Sequence, residues 1–158
     1  LAGVLESVPV GLHVVPQRGD GLGDRLAAAF VDADTGGGPV LLVGMDTPQV
    51  RVDLLSDAMA LLADADAVLG PALDGGWWAL GLRDVRHAQV LRDVPMSTRD
   101  TAGRTLAALH RRGLCVRRLP RLRDVDTISD ATAVAAIAPA TRFARTLAGV
   151  LVEAKEPA

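Results

Sequence analysis

Two short aliphatic runs, Leu41–Val43 and Ala67–Leu69, each pass straight into a glycine and then toward proline and aspartate. The first continues as Gly44-Met45-Asp46-Thr47-Pro48, the second as Gly70-Pro71-Ala72-Leu73-Asp74. A run without polar alternation suits a strand covered on both faces, and such strands belong to sheets flanked by helices. Around the runs, apolar residues recur at helical spacing: Leu22, Leu26, Ala27 and Phe30, then Leu54, Leu55, Met59, Leu61 and Leu62. Strands alternating with helices across short links predict an α/β domain on a mainly parallel sheet. Right-handed crossovers would place helices on both of its faces.

The rest of the chain divides in the same way. Leu12–Pro16 reads as a short strand before the glycine turn Gly19–Gly23, and Asp34–Gly38 as a loop. Trp77–Leu82 returns as a strand from the turn Asp74-Gly75-Gly76, and Asp84–Leu91 reads as a short helix. A helix is expected over Thr98–Arg112, closed by Gly113, the residue type favoured just past a C-terminus. Leu114–Leu119 reads as a strand, and Ile128–Ala138 and Thr141–Ala154 as helices parted by Pro139. Residues 1–158 thus make one domain. At this size roughly 70% of the unfolded-chain surface is buried on folding, without need of a disulfide or metal staple. The chain opens on Leu1 rather than methionine, so a longer natural protein is expected.

Composition narrows the function classes. With 49% hydrophobic and 23% charged residues the chain is no disordered polymer. A net charge of −2 supplies no electrostatic footprint for nucleic acid, and 3% aromatic content argues against base stacking. No apolar run approaches the ~20 residues of a membrane-spanning helix. The single cysteine, Cys115, allows no internal disulfide and fits a reducing compartment, so a cytoplasmic location is expected. Cys115 itself reads as a small buried hydrophobe within its strand.

In open α/β sheets, ligands bind beyond the carboxyl ends of strands, which directs attention to the strand-to-loop junctions. At the first, Gly44 permits close backbone approach. Asp46 there could hold Mg²⁺ or Mn²⁺, although Asp46 or Thr47 could instead cap the helix that Pro48 would begin, and spacing alone favours the cap. At the second, Asp74-Gly75-Gly76 is a hairpin turn whose glycines also let a ligand approach, with Asp74 as a hydroxyl acceptor. Trp77 and Trp78 must point to opposite faces of their strand, so at most one lines a pocket. A third site is Arg123-Asp124-Val125-Asp126-Thr127. Its alternate carboxylates share one face of an extended segment and could approach one cation, or Asp126 or Thr127 could cap the next helix. The chain carries neither a G-x-G-x-x-G nor a Walker loop, and His13, His87 and His110 lack zinc spacing.

Taken in order, these motifs resemble a known family. They are Gln17 with Gly19-Asp20-Gly21-Leu22-Gly23-Asp24-Arg25-Leu26, Val43-Gly44-Met45-Asp46-Thr47-Pro48, Gly70 through Leu82, Ser97-Thr98, and Arg123 through Thr127. Over Gln17–Asp130 the set is similar to a bacterial glycosyltransferase-A-like family of uncharacterised transferases, of the selenodomain-associated or arsenosugar-biosynthesis type. The resemblance implies a three-layer glycosyltransferase-A-like (nucleotide-diphospho-sugar transferase) fold, here without its first strand and with no counterpart before Leu12 of the family's opening nucleotide-holding loop. It implies a metal-dependent transferase moving a sugar from a nucleotide-sugar donor to a small acceptor, with Mg²⁺ or Mn²⁺ held by Asp46 and by Asp126 in preference to Asp124. Asp46 and Asp74 would be catalytic, and Gln17, Gly44, Gly75, Gly76, Trp77, Ser97 and Thr98 would contact substrate. Two alternatives accompany this reading: a nucleotidyltransferase joining a nucleoside monophosphate to a small phosphorylated acid, and a non-catalytic nucleotide-binding protein. Met45, Gln49 and Leu73 stand where the family usually carries serine, aspartate and glutamate, which removes polar and acidic groups from the expected pocket.

Overall fold

The computed structural model describes residues 11–154. The segment ahead of Gly11, where the family's opening strand would be sought, lies outside the described residues. Helix α1 (Leu22–Ala33) leads to strand β1 (Val40–Val43), α2 (Val52–Leu61), β2 (Ala67–Pro71) and β3 (Trp77–Leu82). A 3₁₀ segment, Val85–Asp93, then precedes α3 (Thr101–Arg111), β4 (Val116–Arg118), α4 (Ile128–Ile137) and α5 (Arg142–Glu153). The strand order is β1-β3-β2-β4.

The sheet is mixed, which corrects the expectation of a mainly parallel one. β3 runs antiparallel to both its neighbours, and only β2 and β4 pair in parallel. The cause is local. Five residues, Ala72–Gly76, separate β2 from β3, whereas a parallel return needs a crossover of a dozen or more. β1, β2 and β4 nevertheless all point the same way, since β3 opposes β1 and β2 alike. Their carboxyl ends therefore lie along one edge of the sheet.

Alternation along the strands divides the core between the two faces. Ala67 and Leu69 of β2 and Leu80 and Leu82 of β3 pack with Ala27 and Phe30 of α1, Leu109 of α3 and the 3₁₀ segment. Val68 and Ala79 pack on the opposite face with Ala58 of α2 and Leu62. α1 approaches the 3₁₀ segment closely because Gly23 has no side chain; a Cβ there would lie 2.3 Å from the Leu91 carbonyl oxygen. A bulge interrupts the alternation. Gly70 pairs with Ala79 but Pro71 with Trp77, which leaves Trp78 as the extra residue. Trp77 consequently packs toward the α1 side and Trp78 toward the α2 side. The Trp78 indole lies against Gly70, where a Cβ would come within 2.4 Å of the ring, and its Nε1 donates to the Pro120 carbonyl at 2.9 Å.

Three other sequence expectations change. Leu12–Pro16 forms no strand, and Leu12, Val14 and Val15 are exposed; two valines without a pairing partner do not make a sheet edge. Cys115 is exposed rather than buried. It precedes the edge strand β4, and its backbone does the joining: its carbonyl accepts from Asp66 and Ala67, and its N–H donates to the Asp66 carboxylate at 2.8 Å. Neither Asp46 nor Thr47 caps α2, which begins at Val52 behind Arg51. Thr127 does cap α4, in a reciprocal capping box with Asp130.

Candidate active site

The loops that leave β1, β2 and β4 converge at the shared edge and are stitched together through their backbones. After β1, the Gly44 N–H donates to the Trp78 carbonyl at 2.8 Å, and the Asp46 carbonyl accepts from Val125 at 2.9 Å. After β2, the Leu73 N–H donates to Leu122 at 3.0 Å, while Leu122 donates back to Pro71 at 3.1 Å. The Gln49 side-chain amide donates to the Arg123 carbonyl, so one of the positions departing from the family pattern joins the first loop to the third. The three loops thus carry their carboxylates on a common scaffold.

That scaffold brings Asp74, Asp124 and Asp126 together, with one carboxylate oxygen from each lying within 4.8 Å of the others. Asp74 is oriented by its own turn: its Oδ1 accepts the Gly76 N–H at 2.7 Å. Asp124 is half-buried. Burial above all pushes its carboxyl above the usual carboxylate range, against the pull of a backbone hydrogen bond, and the negative charges of Asp74, Asp126 and Asp46 add to the rise. Three closely spaced carboxylates without a basic side chain among them form a set of hard oxygen donors, of the kind that suits Mg²⁺ or Mn²⁺ better than any thiolate- or imidazole-seeking metal. Arg123, the nearest basic residue in sequence, is turned to Asp130 at 2.8 Å instead.

A cavity of about 340 Å³ is bordered by Asp74 and Asp124 of this trio. Leu22, Leu26 and Leu42 supply apolar wall, and Gly44, Asp46, Asp74, Gly76, Trp77, Ser97, Thr98 and Asp124 also border it. At Gly44 a Cβ would stand 2.9 Å from Asp46 Oδ1, so the glycine leaves room for that carboxylate at the strand end. Ser97 has φ 57°, the only positive value outside glycine among the described residues, a conformation that occurs where the surroundings over-determine the backbone. Those surroundings are visible: Thr101, buried at the start of α3, receives the Thr98 N–H on its Oγ1 at 3.0 Å and donates to the Pro95 carbonyl at 3.1 Å.

The structure sorts the sequence candidates. Asp46, Asp74, Gly44, Gly76, Trp77, Ser97 and Thr98 border one cavity. Asp46 lies outside the closely spaced trio, whereas Asp124, for which the resemblance implies a lesser part than Asp126, lies within it. Gln17 borders a separate cleft beside α1, with Arg18, Arg25 and Asp32. Gly75 has a structural reason of its own: its φ is +98°, and a Cβ would meet the Arg99 carbonyl oxygen at 1.9 Å. Thr101 and Met96 were not singled out from the sequence, and helical or loop context alone gave no signal for them. For Asp124 the signal was present in the alternation Asp124-Val125-Asp126.

Residues 2–98 match the family described as "Uncharacterized protein conserved in bacteria (DUF2064)". That span includes Asp46, Asp74, Ser97 and Thr98 but ends before Asp124 and Asp126. The chain is also similar to a crystal structure from Desulfovibrio desulfuricans G20 of a protein provisionally named a nucleotide-diphospho-sugar transferase, with 33% identity and a TM-score of 0.69. The likeness covers 75% of this chain and 52% of that one, so the chain spans about half the length of this relative. No curated protein matches.

Proposed function

We propose, from the premise that the chain belongs to the bacterial DUF2064 family, that it is a glycosyltransferase-A-type transferase, moving a sugar from a nucleotide-sugar donor to a small acceptor. The observation that carries this reading is the meeting of Asp74, Asp124 and Asp126 beside a partly apolar cavity at the carboxyl ends of β1, β2 and β4. Similarity to a protein named for nucleotide-diphospho-sugar transfer supports it.

Asp74, Asp124 and Asp126 are the residues that would hold a divalent cation. Bound there, the cation would offset charge on the nucleoside diphosphate. Leu22, Leu26, Leu42 and Trp77 would shelter the donor from water, and the Gly44 and Gly76 backbones would allow it to lie against the strand ends. Asp46, on the cavity wall but outside the trio, would receive the acceptor hydroxyl. As that oxygen bonds to the anomeric carbon, the bond from the carbon to the diphosphate oxygen breaks, the nucleoside diphosphate leaves, and the hydroxyl proton passes to Asp46.

Thermal melting of the chain with sugar nucleotides, in Mn²⁺ or in EDTA, tests the reading. A metal-dependent rise in Tm with a sugar nucleotide is expected, by mass action on the folded state. Asp124→Asn and Asp126→Asn should lose that rise, whereas Asp46→Asn should keep it and lose turnover. A shift with nucleoside triphosphates alone, accompanied by pyrophosphate release, would replace sugar transfer with nucleotidyl transfer.

A further inference from the structure

A second cavity, of about 540 Å³, lies along the outer side of the segment that walls the first. Met96, Ser97, Thr98 and Thr101 face one cavity, while Pro95, Arg99, Asp100 and Gly103 border the other, so the start of α3 separates them. Three arginines, Arg99, Arg104 and Arg111, border the second cavity. Only Arg104 has a carboxylate partner among the described residues, Asp100 at 3.6 Å, a separation beyond a hydrogen bond. Arg99 and Arg111 make no ion pair there. Asp93 and Asp100 are the two acidic residues on the rim.

We propose that this groove binds a small phosphorylated polyol, such as a sugar phosphate. The planar fork of arginine matches the oxygens of a phosphate monoester two at a time, and three forks on one groove favour such a group over a bare hydroxyl. Asp93 and Asp100 leave the groove with a small positive excess, and their oxygens are acceptors for the hydroxyls that a polyol carries and inorganic phosphate lacks. The floor is open for a reason in the sequence: Gly103 sits in the middle of α3, where it costs helix stability, and a Cβ built on it meets no atom within 4 Å. The groove's volume falls within the range of small-molecule sites. The start of α3 parts it from the cavity that borders Asp46, so this binding is independent of the transferase reading.

Isothermal titration of the chain with ribose 5-phosphate, glucose 6-phosphate and glycerol 3-phosphate tests the proposal, with ribose and inorganic phosphate as comparisons. At least one phosphorylated polyol should bind, at least tenfold more tightly than either comparison. Arg99→Ala, Arg104→Ala and Arg111→Ala should each weaken it about tenfold. Gly103→Leu should abolish it while leaving Tm unchanged or higher, because leucine is the better helix former and fills the groove. Binding of none of the three, binding no tighter than inorganic phosphate, or binding indifferent to Gly103→Leu would each overturn the proposal. Sugar-nucleotide melting shifts read the other cavity. A phosphorylated polyol bound without any such shift leaves this site standing and removes the transferase reading; the reverse result removes only this site.

Discussion

Glycine positions in this chain differ widely in what a side chain would cost. Gly75 combines a φ of +98° with a hypothetical Cβ 1.9 Å from the Arg99 carbonyl oxygen, and its own carbonyl accepts the Ala102 N–H at 2.9 Å. Alanine there must push the α3 approach away from the hairpin. Gly75→Ala should therefore cost about 3 kcal/mol or more, whereas Gly103→Ala should stabilise α3 by about 0.8–1 kcal/mol; urea denaturation of both variants measures the contrast. Charge makes a second residue-scale case. Because the folded state raises the Asp124 carboxyl pKa, it holds that proton more firmly than the unfolded chain does. Asp124 thus withdraws stability as pH rises from the ordinary carboxylate range through its own elevated value. Asp124→Asn removes that term. Measured without divalent metal, its Tm should exceed the wild-type Tm at pH 7, and the gap should close toward pH 4. A gap that widens in acid would reverse the sign argued here. Asp84 shows the opposite linkage: Arg86 pairs with it and holds its carboxyl down at about 2, so its contribution is full above the ordinary carboxylate value and fades as pH falls toward 2.

Elements were more legible than their directions. Apolar spacing located α1 and α2 to within a few residues, because each turns a stripe toward the sheet, while Gly113 and Pro139 marked the ends of later helices. The Thr127 cap and Gly113, with φ +76° beyond α3, explain why two helix boundaries were well marked. Strand direction was hidden, because an uninterrupted apolar run such as Ala67–Leu69 records that both faces are covered and says nothing of the partner's polarity. The short Asp74-Gly75-Gly76 link held that information, and it outweighed the alternation of strands with helices. The bulge was hidden for a related reason. Adjacent tryptophans must diverge, but which one enters the core depends on the extra residue opposite Gly70 and Pro71. At the candidate site, the carboxylates were visible as types and their grouping was not, since the trio draws on loops fifty residues apart in the chain. Two element-level predictions follow from this packing. Trp78→Ala should cost about 3–5 kcal/mol, as for other buried large aromatics, and Thr127→Ala about 1 kcal/mol for the lost cap; chemical denaturation of each variant checks the ratio.

Across the whole molecule, stability is concentrated around β2 and β3. Leu69, Leu80 and Leu82 are almost fully buried there, and both core clusters draw on these two strands. The carboxyl end of β2 is also where the candidate site begins, so Asp74 stands on the most constrained part of the fold. The C-terminal end is organised differently. α5 has no buried residue among those described and packs chiefly against α4, while Val150 and Val152 remain exposed. Few buried apolar contacts mean a low free energy of local opening. Amide hydrogen exchange should therefore show α5 losing protection first and β2 and β3 last, with α4 between them through Val134, which is fully buried. Site ligands should redistribute this gradient unevenly. A cation held by Asp74, Asp124 and Asp126 would tie the β2 loop to the segment just ahead of α4, so Mn²⁺ should slow exchange from Leu122 through Ala131 and leave α5 unchanged. Equal slowing at both ends would mean that the ion stabilises the molecule as a whole rather than closing this one junction, and Asp126→Asn should erase the local effect while preserving the gradient.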